Sequence, residues 1–255
     1  MLSSLIHDVW RLYERPETAR IVVRPSIPIL FFGDSQQYFA SGIKAITVGL
    51  NPSRREFPAD APFDRFRHAQ SLYPAVLDGG QDQVYLAALN NYFHQRPYTS
   101  WFSCFEPVLN GMDCSYYRTR PNTALQTELC SPLATDPTWS GLSRAEHDLL
   151  MHDGVALWHR LVEYLAPDVI LISVARAHLA KINFEVLEAW KTFYNNTERK
   201  DGTRKHRPYQ MLIQTVRIGG KSVPLIFGPA ARKPFGHLSN AAKHDVGSHI
   251  ASLFA

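Results

Sequence analysis

Apolar residues in this chain gather in short runs separated by polar stretches rich in glycine and proline, a pattern that predicts alternating strands and helices. Ala45 to Val48 is a compact run with β-branched Ile46, Thr47 and Val48 that stops at Gly49, which suits a buried central strand better than a helix. Ala124 to Cys130 and Pro167 to Ser173 read as a second and a third strand. Tyr209 to Ile218 and Ser222 to Phe227 flank Gly219-Gly220, a hairpin signal that gives the last strand an antiparallel neighbour. Ile27 to Gly33 is an apolar strand or lip ahead of the Ala45 strand.

Helical spacing fills the intervals. The first residues form an amphipathic helix, Gln83 to His94 and Trp101 to Leu109 suit two more, and another starts at about Ala175. Ser143, with Glu146 three residues on, is a capping box for a helix running to Leu165, whose core face is Leu149, Leu150, Val155, Leu157, Leu161 and Leu165. His237 to Phe254 closes the chain with a helix. Alternation of this kind predicts an α/β fold: three layers, α/β/α, around a central, mostly parallel four-stranded sheet. Arg54 to about Arg120 is long, irregular and rich in proline and aromatic residues, and a connection of that length carries function or helices of its own. Thr197 to Arg207 is a basic polar stretch, either a solvated insertion or an arm that contacts phosphates.

Composition adds limits. A chain of 255 residues with 45% hydrophobic content buries one sizeable core, so a single domain over 1–255 is expected. Lys and Arg number 27 against 23 Asp and Glu, a formal charge of +4 with pI near 9.0, a mild bias towards phosphates. Cys104, Cys114 and Cys130 have no paired CxxC spacing and fall one short of a four-thiolate site, which argues against an iron–sulfur cluster and for a reducing compartment. The amino terminus has no basic leader before an apolar core, and no stretch approaches the length needed to cross a bilayer. The expectation is a cytoplasmic monomer without metal, cofactor or membrane contact.

The chemistry gathers after the first strand. Gly49-Leu50-Asn51-Pro52-Ser53 puts Asn51 at a strand's carboxyl end, where open α/β sheets bind ligands, and Pro52 disfavours a helical Asn51. The plain reading is an Asn-Pro turn. An Asn can also hold a water through its amide dipole while staying uncharged.

With Pro62-Phe63 beyond it, this loop resembles the first active-site motif of the uracil-DNA glycosylase superfamily, nearest to its mismatch-specific and single-strand-selective branches. In those branches the Asn of a Gly-x-Asn-Pro loop positions the attacking water, and a Phe twelve residues later stacks on the extruded base. Asn51 and Phe63 have that separation. Thr127-Glu128-Leu129-Cys130-Ser131-Pro132-Leu133 is similar to the segment where an Asn before Leu-Cys-Pro-Leu reads the base edge. Leu225 to Gly228, then Pro229-Ala230-Ala231 and Gly236-His237-Leu238-Ser239-Asn240, is similar to the last motif, which begins His-Pro-Ser and inserts a wedge into DNA. The resemblance spans Ile27 to Leu253. It implies DNA as partner, with Asn51 and His237 catalytic, Gly49, Phe63 and Glu128 at the base, and Ser53, Arg54, Arg55, Arg232, Lys233, Phe235 and Ser239 on the DNA.

Two departures stand out. Glu128 occupies the place of the base-reading Asn, and an ionised carboxylate only accepts hydrogen bonds. It would meet a uracil carbonyl at a cost of several kcal/mol unless protonated, whereas an exocyclic amine would suit it. A one-residue slip or a structural carboxylate is the plain alternative. Gly228 stands where the motif has His, and His237 follows nine residues later. Either Arg232-Lys233-Pro234-Phe235 is an inserted wedge with His237 as the working imidazole, or that role is absent.

Glycosidic cleavage develops positive charge on the sugar and negative charge on the base, so a site needs a fixed water and donors around the base. The target nucleotide must first leave the stack. Excision of uracil, removal of a modified cytosine in defence against phage, and a catalytically silent nucleic-acid-binding module remain as readings. Other signatures fail. Gly219-Gly220-Lys221-Ser222 imitates a P-loop end, but Thr215 stands where the upstream Gly belongs, and there is no Gly-x-Ser-x-Gly or His-Glu-x-x-His. His147, His152 and His159 read as surface or packing residues of the capped helix.

Overall fold

A computed structural model describes residues 1–72, 81–199, 202–230 and 233–254. The fold is α/β. Its central sheet has six strands in the order β4-β1-β5-β8-β7-β6: β1 Ala45–Gly49, β4 Leu125–Glu128, β5 Val169–Ile172, β6 Glu185–Glu198, β7 Arg204–Ile218 and β8 Lys221–Phe227. β1, β5 and β8 pair in parallel; β8, β7 and β6 pair antiparallel. The two short strands β2 Cys114–Ser115 and β3 Asn122–Thr123 form a separate parallel pair.

The α/β class and the parallel pairing at the sheet's centre agree with the hydrophobic pattern. The strand count does not, because six strands replace the expected four. The helix expected from about Ala175 is only a 3-10 segment, Arg176–Lys181, and the chain then enters β6. The basic stretch Thr197 to Arg207 is the end of the β6/β7 hairpin, with Lys200 and Asp201 outside the described residues.

The chain groups into two compact units, each assembled from three stretches. The first takes residues 1–36, 49–98 and 125–165. Here the helix α1 Leu2–Tyr13 buries Leu5, Ile6, Val9, Trp10 and Tyr13, the stripe its sequence spacing predicts. The long helix α6 Arg144–Leu165 begins as expected: Ser143 N donates to Glu146 Oε2 at 2.6 Å, and Glu146 N donates to Ser143 Oγ at 3.3 Å. α6 reaches β4 through Trp158, whose Nε1 donates to Thr127 Oγ1 at 3.0 Å. Gly154 lies so close that a Cβ there would stand 2.2 Å from the Cys130 carbonyl oxygen. Ile27 to Gly33 is buried irregular chain, not a strand; Phe32 forms a single bridge to Gln126.

The second unit takes residues 37–48, 99–124 and 166–255. Its strands β1 and β5 are buried at every position because both faces of a parallel centre are covered. Gly219 and Gly220, with φ of 53° and 84°, make the β7/β8 turn, a conformation that side chains resist. The helix expected over Trp101 to Leu109 is broken into α4 Thr99–Phe102 and α5 Glu106–Gly111. α5 crosses α7 Asn240–Ala251 at backbone contact: a Cβ on Gly247 would sit 2.0 Å from the Val108 oxygen. Among the described residues no helix is long and apolar enough to cross a membrane, and no group of three His, Cys, Asp or Glu side chains is arranged to hold a metal ion.

Candidate active site in the first unit

The loop after β1 is held by the segment after β4. Leu129 N donates to the Gly49 oxygen at 3.0 Å, Cys130 N and Ser131 N both donate to the Leu50 oxygen at 2.9 and 3.1 Å, and Thr135 N donates to the Pro52 oxygen at 3.3 Å. Four backbone bonds between two short stretches leave the loop little freedom.

Inside this brace Asn51 is half-buried, and its amide nitrogen is fully committed. Nδ2 donates to the Pro52 oxygen at 2.9 Å, the Leu133 oxygen at 3.2 Å and Thr135 Oγ1 at 2.9 Å. Two of those partners are backbone carbonyls, which only accept, so the amide orientation is fixed. Oδ1 is the atom left to accept a hydrogen bond, the arrangement a water-holding amide needs. Leu133 and Thr135 aim Asn51; Leu133 ends the motif stretch that begins at Thr127, whereas nothing in the sequence marks Thr135 as a partner of Asn51.

Glu128 ends β4 and is 8% exposed. Its Oε1 accepts from Gln126 Nε2 at 3.2 Å, while Oε2 is buried without a hydrogen-bond partner. Gly49 is where it is because of this carboxyl: an added Cβ would stand 2.4 Å from Oε2 and 2.8 Å from Gln126 Nε2. Burial pushes the Glu128 carboxyl from the ordinary 4.5 up to about 8, the Gln126 hydrogen bond opposes the rise, and the charge of Glu56 adds to it.

Glu56, absent from the sequence expectations, is 4% exposed and belongs to the 3-10 turn Arg54–Glu56. Burial raises its carboxyl to about 7, with Tyr92 and Arg65 opposing. The Tyr92 hydroxyl donates to Glu56 Oε2 at 2.5 Å and accepts from Tyr98 N at 2.9 Å. Burial also lifts Tyr92 well above its ordinary value, so it stays a donor. A glutamate in a stretch of arginines gives no sequence cue that it folds inwards.

Both carboxyls have folded values above the unfolded one, so the native state binds the extra protons. Their contribution to stability is present below about 4.5 and is lost as pH rises through about 7 to 8. Thermal melts across that range should therefore show wild-type stability falling more than that of a Glu56→Gln/Glu128→Gln protein, because the exposed carboxylates are common to both. Parallel curves would contradict the burial of these charges.

Phe63 lies in the following turn, half-buried, with its carbonyl accepting from Phe66 N at 3.0 Å. Phe66 stacks on Phe57 with centroids 5.2 Å apart and packs at 5.0 Å from the ring of Tyr92. Arg65, from the same turn, donates from Nε to the Arg55 oxygen at 3.0 Å. These contacts tie the Phe63 turn to the segment after Asn51. Ser53 caps the 54–56 turn, its Oγ accepting from Arg55 N at 3.3 Å. Arg54 and Arg55 are exposed and engaged, Arg54 with Asp136 and Arg55 with the hydroxyl and ring face of Tyr98.

The remaining expected residues belong to the second unit. His237 is exposed, 5.5 Å from the ring of Tyr209, and lines a cavity of about 560 Å³ with Tyr194, Asn196, Arg199, Ser239 and Asp245. Ser239 is the N-cap of α7. Lys233 is exposed, and Arg232 and Ala231 lie outside the described residues. Phe235 is corrected: it is no protruding wedge. Its ring is 0% exposed, packs edge-on against Phe105 at 5.4 Å and fills the space at Gly228, whose added Cβ would stand 2.6 Å from it. Its backbone, at φ 49°, is held by donation from N to Ser173 Oγ at 3.0 Å. An apolar ring flanked by Pro234 and Leu238, both buried, gains more from the core than from water. The three cysteines are free and buried, and burial pushes the Cys114 thiol up to about 12. No protein-family model, curated protein or solved structure matches this chain.

Proposed function

We propose that this chain is a monofunctional DNA glycosylase of the uracil-DNA glycosylase type, hydrolysing the bond between a flipped base and its sugar. The observation that carries the proposal is the Asn51 amide, whose nitrogen is spent on Pro52, Leu133 and Thr135 so that Oδ1 is left to hold a water. Water adds its oxygen to the sugar carbon as the carbon–nitrogen bond breaks; the base departs with the electron pair and in the end takes up the proton that the water loses. An uncharged amide is a weak base, so the site works by placing the water and accommodating the leaving base.

Phe63 supplies a ring for stacking, and Glu128 a polar group at the base edge. The reading entails DNA as partner and a three-layer arrangement, with the chain acting as a monomer and needing no cofactor. His237 belongs to it in a catalytic role, and Ser239 and Lys233 as DNA contacts.

Arg54 and Arg55 fit the phosphate side. The Arg54–Asp136 pair is exposed, and such pairs contribute only about 0–1 kcal/mol, while Arg55 holds a neutral hydroxyl and ring, so either guanidinium can exchange its partner for a phosphate. Arg54→Ala and Arg55→Ala should each weaken binding to any oligonucleotide sequence alike and reduce the slope of log affinity against log salt by about 1. An unchanged slope would remove them from the interface.

The direct test is formation of abasic sites on oligonucleotides carrying uracil, hydroxymethyluracil, hypoxanthine or modified cytosines, in single and double strands, with Asn51→Ala as control. Tight binding without any base release would favour a silent binding module instead.

A further inference from the structure

The basic stretch Thr197 to Arg207 belongs to the second unit, and the fold gives it a definite shape. β7 pairs with β8 over Leu212 to Ile218, while from Arg204 to Met211 it pairs with β6. Residues 194–198 and 204–211 therefore form a two-stranded arm, about 25 Å long, beyond the end of β8. Charge is concentrated in it: residues 195–210 hold five cations against two carboxylates, a surplus of three in a chain whose whole surplus is four.

The arm's cations differ from those lower on the same hairpin, where Lys191 pairs with Glu188 at 2.7 Å and Arg217 with Glu185 at 2.9 Å. Among the described residues Arg199, Arg204, Lys205 and Arg207 form no ion pair, although Glu198 lies opposite Arg204 in the strand register. Arg199 meets the neutral Thr203 hydroxyl at 3.4 Å, and Arg199, Arg204 and Arg207 are all exposed. Lys205 to Pro208 stand against the single residue Thr197, a bulge that twists the ribbon and re-aims its side chains.

The arm is anchored. The buried Tyr209 donates from its hydroxyl to the Pro229 oxygen at 3.0 Å and sets its ring 5.5 Å from that of His237. Lys205 Nζ donates to Asn196 Oδ1 and, at 3.3 Å, to the His237 oxygen. Positive charge is thus held in a fixed frame beside His237, and little ordering entropy is lost when an anion binds. The cavity between the arm and the start of α7 is lined by Glu198 and Asp245 as well as Arg199 and His237, so it is no pocket for a small anion. Guanidiniums spread along an arm suit a polyanion of repeated charges instead, and a two-stranded ribbon has the width that the major groove of a duplex admits, with phosphates on either side.

We propose that the β6/β7 arm is a second DNA-holding element, in which Arg199, Arg204 and Arg207 contact the backbone phosphates of duplex DNA. The choice of DNA among polyanions rests on the glycosylase reading. Contacts of this kind supply affinity and position, and they are indifferent to sequence.

The test is equilibrium binding of the full chain to a fluorescent duplex without any damaged base, from about 50 to 200 mM salt. Arg199→Gln/Arg204→Gln/Arg207→Gln is expected to reduce the slope of log affinity against log salt by about 3, alike for any sequence, and to leave the melting temperature unchanged because all three side chains are exposed. Lys191→Gln/Arg217→Gln, which removes cations that are already paired on the same hairpin, should leave the slope near that of the wild type. An unchanged slope in the triple variant would overturn the proposal. An equal fall per charge in the double variant would overturn it as well, because bulk charge and not the arm would then hold the DNA. A wild type that binds no duplex at about 50 mM salt would also overturn it, with an acidic protein face left as the arm's occupant. Arm-dependent binding with no base released from any oligonucleotide would end the excision reading and leave the arm's contact with DNA standing.

Discussion

Asn51→Ala is expected to lower the rate of base release by about a hundred- to ten-thousand-fold, the range seen when a group that positions a reacting proton or water is lost. The protein should remain folded. Its melting temperature should change little, because the amide's three bonds are to a loop that four backbone hydrogen bonds hold independently. DNA affinity should persist as well, since phosphate contacts carry most of it. Thr135→Val is the milder companion: it removes one of the three partners that aim Asn51, and it should reduce the rate without abolishing it. Equal rates in wild type and Asn51→Ala, measured by single-turnover cleavage at abasic sites, would remove Asn51 from the chemistry.

The second large effect is structural. Gly154→Val is expected to destabilise the protein by about 3 kcal/mol, the upper end for overpacking, because the new Cβ meets backbone and not a movable side chain. A Cβ at this position stands 2.2 Å from the Cys130 oxygen and 3.1 Å from the Ser131 Cα, both in the segment that braces the Asn51 loop. Valine's somewhat better helix propensity than glycine offsets only a few tenths of a kcal/mol. For a chain of this size the melting temperature should fall by about 10 °C. Base release should suffer too, because Cys130 N and Ser131 N would be pushed away from the Leu50 oxygen. A melting temperature within a degree or two of wild type would show that α6 can retreat without cost.

The elements legible in the sequence were those in which one local signal dominated. β1 and β5 were readable because continuous β-branched and apolar residues have one good solution, a strand buried on both faces. The capping box of Ser143 and Glu146 and the Gly219-Gly220 turn were readable because their chemistry is local. β6 was not. Its sequence, with Glu185, Leu187, Glu188, Ala189 and Lys191, has the composition of a helix, and its largely exposed edge position blurs the alternation that marks a half-buried strand. Pairing with β7 decides its state, and such a partner is invisible in a local window. The break between α4 and α5 and the irregular Ile27 to Gly33 segment likewise depend on what packs around them.

The candidate site divides in the same way. Asn51, Phe63 and Glu128 were found through a resemblance of motif, and all three belong to the first unit. The residues around them were hidden: Thr135 and Leu133 orient Asn51, and Tyr92 donates to the buried Glu56, through contacts 36 to 84 positions apart in the chain. Phe235 shows the opposite error. An aromatic beside Lys233 reads as a DNA wedge, yet burial against Phe105 and Gly228 assigns the ring to the core.

The central claim is that Asn51 holds a water for attack on a sugar, and one measurement meets it most directly: alkali-induced scission of a single-stranded oligonucleotide containing one uracil, after incubation with wild type or Asn51→Ala. Scission at the uracil position by the wild type and its loss in the variant is the predicted result. Intact strands with the wild type, for uracil and for every other base in the panel, would contradict the account.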